Sequence, residues 1–352
     1  TKEMYTFTDR GGETITLRPE GTAGVARALI SGGLAQHLPL KYFYSGPMFR
    51  YERPQKGRMR QFHQTGIELL GVKEPLGDVE VIATGAEFLR RIGAWDRSQL
   101  EINTLGDTES RQNYRKVLVE YLSGHREKLS ADSLDRLERN PLRILDSKDQ
   151  GDQAIVAGAP VYTDYLNQTS RDFFERVKDG LSTLGLAFVV NPRLVRGLDY
   201  YCHTCFEVTC EELGAQKTIL AGGRYDGLVG MMGGAETPGV GWASGIERCA
   251  MLLKEAPAAR RPIALVPLGE RAEKAALKIA GDLRRADFAV DLGFGGSMKA
   301  RMKRANKVDA GVAVILGDNE LDGNKATVKN LGSGEQSSVA LDKLADALEA
   351  YR

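Results

Sequence analysis

Apolar residues recur along this chain with two periods, and each change of period marks an element. At residues 4–18 the runs MYTFT and TITLR alternate around DRGG, whose glycines admit positive φ, and together they predict a hairpin. PEGT leads into the helical run AGVARALI, with Thr22 as its predicted N-cap. Period two returns over 41–49 and 60–70 and predicts two strands joined by a loop. DVEVIATGAEFLRRIG reads as an amphipathic helix and LEINTLGD as the strand that leaves it. Residues 107–165 are helical and charge-rich, which predicts an inserted helical module. Strand-like patterning resumes through AFVVNPRLVRGLDYYCHTCFEVTCEEL and KTILAGGRYDGLVG. TPGVGWASGIERCAMLLK then predicts a glycine-rich approach to a helix. Strand runs on both sides of an insertion predict one sheet built from distant segments.

KEAPAARRP, residues 254–262, is a linker by composition. Beyond it strands and helices alternate. IALVPL is a strand, and Ala272, Ala276, Ile279 and Leu283 form an apolar stripe at helical spacing. FAVDL, a helix near 297–307, AGVAVILG, KATVKN and SSVAL complete a small α/β domain. The predicted segments are therefore 1–106, an insertion at 107–170, 171–255, a linker at 256–262, and 263–352.

Composition narrows the class. A chain of 352 residues suggests about two or three domains. With 42% apolar and 27% charged residues, it is ordinary for a soluble globular protein. No apolar run approaches the roughly 20 residues of a membrane helix. The four cysteines, Cys202, Cys205, Cys210 and Cys249, are too few for a disulfide framework and point to a reducing cytoplasm. A net charge of +1 means that any contact with nucleic acid must use local patches.

One such patch is plain. Arg50, Arg53, Lys56, Arg58 and Arg60 crowd into eleven residues with Glu52 as the only acid, on the loop between the two predicted strands. Arginine forks match phosphate oxygens in a bidentate way, so the loop suits a polyphosphate; a merely solvated basic tip is the alternative. On the return strand, alternation sends Arg60, Phe62, Gln64, Gly66 and Glu68 to one face, which with Arg50 describes a pocket for an anion, a flat ring and an ammonium or imidazole. Gly239, Gly241 and Gly245 permit close backbone approach to a ligand, and Arg248 lies in a helix otherwise apolar on that side. A buried arginine there needs a partner, and a phosphate would serve. RGLDYY bunches Arg196, Asp199, Tyr200 and Tyr201 where a strand should begin.

FRYERPQKGRMRQFHQTGIELLG resembles motif 2 of the class II aminoacyl-tRNA synthetases, and GVGWASGIER resembles motif 3. TLRPEGT is similar to the loop that holds the amino-acid ammonium in the histidyl, prolyl and threonyl branch. LVRGLDYY and AGGRYDGLVG resemble the two signatures of the histidyl-tRNA synthetase family. The resemblance spans essentially the whole chain. It implies an α+β catalytic domain, a mostly antiparallel sheet with flanking helices, split around the helical insertion. It also implies a C-terminal α/β anticodon-binding domain. The implied activity is ATP-dependent activation of L-histidine and its transfer to the 3′ end of tRNA(His). ATP is taken with its Mg²⁺ and no protein-bound metal is implied.

The resemblance also implies roles. Arg50 meets the α-phosphate and the substrate carboxylate; Arg196 contacts the α-phosphate. Glu52 meets the adenine amino group and Phe62 stacks on the ring. Arg58 and Arg248 hold the γ-phosphate side. Glu20, Thr22 and Gln64 bind the histidine ammonium. Glu68 and Tyr201 read the imidazole nitrogens, with Tyr200 and Tyr225 lining the pocket. Arg53 and Gln55, nearer the loop tip, are the expected tRNA acceptor contacts. Family members carry motif 1, which builds a homodimer interface, upstream of KEMYTF, so a preceding segment is expected.

Other signals weigh less. CHTC, residues 202–205, invites a metal or redox reading, but on a strand the two cysteines face opposite sides, and ordinary packing is expected. His63 alternates away from the pocket and reads as structural. SMKARMKRANKV, 297–308, carries five cations and no acid. It suits either tRNA phosphates or solvent, and the resemblance favours RNA. The rival functions are a catalytically silent regulatory subunit of histidine biosynthesis and another class II synthetase such as the prolyl or threonyl enzyme. The C-terminal domain and intact RGLDYY argue against the first, and the two histidine signatures against the second.

Overall fold

A computed structural model describes residues 4–195, 200–255 and 259–352. The chain divides into two compact units, Thr1–Lys254 and Glu255–Arg352.

In the first unit, β1 (Thr6–Thr8) and β2 (Thr14–Thr16) pair antiparallel as the predicted hairpin. Helix α1 (Thr22–Ser31) follows. Its cap differs from the expectation. Gly21 holds the cap position, and the Glu20 carboxylate accepts the N–H groups of Thr22 (2.5 Å) and Ala23 (3.0 Å). Thr22 is the first residue inside the helix rather than its cap, and its hydroxyl donates to Glu68 at 2.6 Å. Strands β3 (Leu40–Phe49) and β4 (Gln61–Leu70) pair in full antiparallel register, Leu40 opposite Leu70 and Phe49 opposite Gln61. Helix α2 (Pro75–Arg91) starts with proline at its first turn and ends with Arg90 and Arg91, which suit the negative helix terminus.

Strand β5 (Gln99–Thr104) precedes four helices: α3 (Thr108–Ser123), α4 (Ala131–Arg139), α5 (Gln150–Ala157) and α6 (Gln168–Thr183). Each has a side-chain N-cap, from Asp107, Ser130, Asp149 and Asn167. The Asp152 carboxylate ties this region together by accepting from Ser130, Ser133 and Ser147 hydroxyls at 2.6–2.7 Å. That satisfies a carboxylate that would otherwise be costly to bury.

The strand-like run 186–201 forms less sheet than its composition predicts. Among its described residues only β6 (Val189–Val190) pairs, parallel to β5, and the next strand, β7, is Cys202–Thr209. Then come β8 (Thr218–Arg224), α7 (Leu228–Met231), β9 (Gly239–Gly245) and α8 (Ile246–Met251). The glycine run expected to lead into a helix is itself a strand. The strands order as β3-β4-β9-β8-β7-β5-β6, every pair antiparallel except β5/β6. Helices α2 and α6 cover one face through Val81, Ile82, Leu89, Val177 and Leu181, packed on Leu100, Phe206 and Trp242. A second core joins α1 and the insertion to Tyr201 and Tyr225.

β7 is interrupted. Cys202 pairs with Arg224 and Cys205 with Gly223, so His203 and Thr204 bulge out, with His203 at φ 43° and its ring stacked on Phe173 at 4.5 Å. Cys205 donates to the Leu194 carbonyl, and Cys202 accepts the Asp226 N–H.

The second unit holds β10 (Ile263–Pro267), α9 (Glu270–Arg285), β11 (Val290–Leu292), α10 (Met298–Lys307), β12 (Val312–Leu316), α11 (Asp318–Asp322), β13 (Lys325–Asn330) and β14 (Gln336–Ala340). The order is β11-β10-β12-β13-β14, with the first three strands parallel and the last two antiparallel. Ala272, Ala276, Ala280 and Leu283 of α9 are buried against Leu265, Val312 and Val314.

Candidate active site

Strand β4 positions the site by its register. Phe62, Gln64, Gly66 and Glu68 share one face, opposite Met48, Gly46, Tyr44 and Tyr42 of β3. Exposure falls along that face, from half-buried Phe62 to Glu68 at 2%. The outward His63 donates its backbone N–H to both Glu247 oxygens at 3.0 Å, and its Nδ1 lies 2.8 Å from one of them. It therefore pins α8 to β4 and fixes the helix that carries Arg248.

At the half-buried end, a cleft of about 710 Å³ is lined by Arg50, Glu52, Arg58, Phe62, Gln64 and Arg248, among others. Such a volume suits a nucleotide-sized ligand. Arg50 donates Nε to the Pro19 carbonyl at 2.9 Å and lies 5.0 Å from the Phe62 ring centroid. Arg58 pairs with Glu52. Burial would raise the Glu52 carboxyl, but the hydrogen bond and charge of Arg58, with Arg50 and Arg248 behind it, hold it below its usual range. The buried Arg248 is expected to need a partner, for which a phosphate would serve; its guanidinium donates to neutral acceptors, the Gly57 carbonyl (2.8 Å), the Thr218 carbonyl (2.8 Å) and Gln216 (3.3 Å). Burial, then the charges of Arg50 and Arg58, pull it below its ordinary value. Three guanidinium groups thus act on one another at this end of the cleft, with Glu52 and Glu207 the acids that offset them, an arrangement that an anionic ligand would relieve. Arg53 and Gln55 are exposed, at a turn closed by the Gln55–Arg58 bridge with Gly57 at φ 73°.

At the buried end, the Glu68 carboxylate accepts from Thr22 Oγ1 at 2.6 Å and from the Tyr225 hydroxyl at 2.5 Å. Burial raises Glu68 to about 8 despite these two donors. Tyr200 and Tyr201 stand 4.8 Å apart, and Tyr200 meets Tyr225 edge-on at 6.0 Å. Gln64 Oε1 is buried without a hydrogen bond among the described residues, and the Tyr200 hydroxyl is buried beside Tyr201. An unsatisfied polar atom next to a buried carboxylate is what a polar ligand would complete. Arg196 lies outside the described residues.

Sequence reading missed two groups. The first is Tyr44, its hydroxyl buried beside Thr22 and Glu68. Its ring fits against Gly21 and Gly66, where any Cβ would overlap it. Burial, with the charges of Glu68 and Glu20, raises its phenol far above the ordinary value. The alternation of KYFYSG put Tyr44 on the pocket face, and pairing with Gly66 was the signal to follow. The second is Arg224, fully buried and forked onto Asp78, with further donation to Asp226 (3.0 Å) and the Val72 carbonyl (2.8 Å). It locks the end of β8 on which Tyr225 sits. An arginine in an otherwise apolar strand run was its signal.

The profile of the histidyl-tRNA synthetase family matches residues 1–249, and that of the anticodon binding domain matches 263–351. The chain is 58% identical over 352 residues to a histidine–tRNA ligase of Rhodospirillum rubrum, covering all of this chain and 85% of the relative. It is 53% identical over 351 residues to that of Gluconobacter oxydans, with the same coverage. The crystal structure of apo S. aureus histidyl-tRNA synthetase superimposes with a TM-score of 0.79 at 35% identity, over 98% of this chain and 86% of that one. A Bacillus halodurans structure titled as an ATP phosphoribosyltransferase regulatory subunit/histidyl-tRNA synthetase gives 0.58 at 20% identity, over 90% and 83%, a likeness of fold alone.

Proposed function

Because the chain belongs to the histidyl-tRNA synthetase family, we propose that its cleft divides the ligase reaction between a cationic end for ATP and a buried end for histidine. The activity is activation of L-histidine with ATP and transfer of the histidyl group to the 3′ end of tRNA(His). The observation that carries the division is the strand β4 gradient, with three guanidiniums at its open end and the buried Glu68 carboxylate at the other.

The histidine carboxylate, already ionised, attacks the α-phosphorus in line. A P–O bond forms to it, the bond to pyrophosphate breaks, and no protein base is required. Charge builds on the phosphoryl oxygens, and fixed cations stabilise it without reorganising. Arg50 is proposed at the α-phosphate and the substrate carboxylate, with Arg196 beside the phosphate. Arg58 and Arg248 take the γ-phosphate side of ATP, which enters with its Mg²⁺. Arg58 then exchanges Glu52 for phosphate, which frees that carboxylate for the adenine amino group over Phe62. Glu20, Thr22 and Gln64 receive the ammonium. Glu68 and Tyr201 take the two imidazole nitrogens, walled by Tyr200 and Tyr225. Arg53 and Gln55 meet the tRNA acceptor end.

A homodimer is the proposed assembly, and Phe43, 82% exposed on the edge strand β3, offers it an apolar surface. Among the described residues no helix is long and apolar enough to cross a membrane. The thiols suit the reducing cytoplasm proposed as the compartment.

Amino-acid-dependent ATP–pyrophosphate exchange, run without tRNA, tests the reading. Exchange with histidine and none with proline, threonine or glycine is expected. Exchange driven by another of the four would overturn the specificity, and silence with all four would return the regulatory-subunit reading.

A further inference from the structure

We infer that Arg111, on the first helix of the insertion, is a positioning residue for histidine recognition: it holds the backbone of Tyr201 and so makes the insertion part of the amino-acid pocket. The inference rests on the reading of the buried end as the histidine site and adds to that site a residue from outside it.

Tyr201 stands where the sheet does not hold it. Strand β7 begins one residue later, and its ladder to β8 breaks at once, since Cys202 pairs with Arg224 and the next pair is Cys205 with Gly223. The bulge is taken up by the end of β5. Leu105 donates its N–H to the His203 carbonyl, and His203 donates its own to the Gly106 carbonyl, both at 2.7 Å. Gly106, at φ 57°, turns the chain toward α3. From that helix Arg111, 90 residues away in sequence, donates Nη1 to the Tyr201 carbonyl at 3.1 Å. A charged donor on a carbonyl makes a stronger bond than a neutral one. The Tyr201 ring, 7% exposed, lies against Gly223, where a Cβ would come within 2.9 Å of it. The ring is thus held from the strand side and its peptide from the helix side.

Arg111 can anchor because its own helix is fixed. The two ends of the insertion cap each other. Asp107 accepts the Ser110 N–H at 2.9 Å, and its other oxygen accepts the Asn167 amide at 2.7 Å. Asn167 accepts the Ser170 N–H at 2.9 Å and gives its own N–H to Ser110 Oγ at 3.0 Å. The Asp107 N–H reaches Ser170 Oγ at 3.1 Å. Ser110 and Ser170 are fully buried, so these bonds are shielded from water. Arg111 follows Ser110 directly, and its N–H bonds the Asp107 carbonyl at 3.0 Å. Tyr114, Leu118 and Tyr162 of the insertion share one apolar core with Tyr201 and Tyr225. A group that reads an imidazole nitrogen must be held closely in place, and a small displacement from a distant change is enough to weaken it.

The test is histidine-dependent pyrophosphate exchange by the whole chain, without tRNA. Arg111→Met keeps the apolar stem and removes the donor. It is expected to raise KM for histidine about tenfold and to leave KM for ATP within about twofold. Arg111→Lys keeps a cationic donor and should recover most of the loss. A residue needed only for folding would reduce the amount of active protein and leave both KM values alone. A double-mutant cycle then asks whether Arg111 acts through Tyr201: in the Tyr201→Phe background, Arg111→Met should add less than about twofold. Arg111→Gln carries the same readings if the Met variant does not fold. An unchanged KM for histidine, an equal rise in both KM values, or full additivity with Tyr201→Phe would overturn the inference. Wild-type exchange that ignores histidine sinks the site reading and this inference together; wild-type exchange driven by histidine, with Arg111→Met unmoved, sinks the inference alone.

Discussion

Glu68 concentrates the chemistry of the buried end in one carboxyl. It lies where solvation is lost, and among the described residues Thr22 and Tyr225 donate to it. Its folded value of about 8 exceeds the ordinary carboxylate value, so between the two the folded chain holds a proton that the unfolded chain has released. This site's contribution to stability is complete below the unfolded pKa and is lost as pH rises through about 8. Glu68→Gln cannot ionise. Its stability relative to wild type should therefore rise with pH, by up to roughly 1.4 kcal/mol per unit across that window. Unfolding midpoints of both proteins at pH 5, 6, 7 and 8 check this; a constant difference would show that Glu68 titrates normally. Tyr44 makes a second case. Its hydroxyl is buried beside Glu68 and Thr22, and the proton of the Thr22 hydroxyl goes to Glu68, so Tyr44→Phe should leave the thermal midpoint level or raised. If that hydroxyl waits for the substrate, KM for histidine should increase roughly tenfold in pyrophosphate exchange while KM for ATP holds.

Strand β9 shows why an element of this kind carries glycines. It runs between β4 and β8, directly beneath the pocket. A Cβ at Gly241 would overlap the Glu68 carboxylate and the Ile67 carbonyl, and one at Gly239 would overlap the Tyr225 ring. Gly241→Ala should accordingly cost about 1–3 kcal/mol in denaturant unfolding and abolish thermal stabilisation by histidine. Gly245→Ala, whose Cβ would meet only the Arg248 side chain at 3.7 Å or beyond, should keep both and serves as the control. The glycines were visible in GVGWASG as the approach to a helix, and they do run straight into α8. What made them a strand was a backbone on either side.

Each unit encloses its own core, one built around Phe206, Trp242 and Val177, the other around Leu265, Val312 and Ala276. The cleft and the pocket belong wholly to the first. A chain ending at Lys254 should therefore retain histidine-dependent pyrophosphate exchange, while its KM for tRNA(His) in charging rises by at least about tenfold through loss of the second contact. Exchange lost together with charging would show that the catalytic unit needs the second to hold its shape.

Much of this protein was legible before any coordinates. The period-two runs dictate β3 and β4, and alternation alone places Phe62, Gln64 and Glu68 on one face, because successive strand side chains must point oppositely. The cationic loop, the helical insertion and the change to an α/β pattern near residue 262 follow from local composition and period. Local pattern could not decide pairings between residues far apart in the chain. Thr22 looked like a helix cap, but Glu20 takes the first N–H groups, and the Thr22 hydroxyl donates to Glu68, 46 residues away. Arg248 needed a partner, for which a phosphate would serve, and the fold supplies the carbonyls of Gly57 and Thr218 as well. Arg224 found Asp78 across 146 residues, and Tyr44 found its place between two glycines. A polar side chain buried by the fold must be satisfied by whatever the fold brings near it, and that neighbourhood exists only after the sheet has closed.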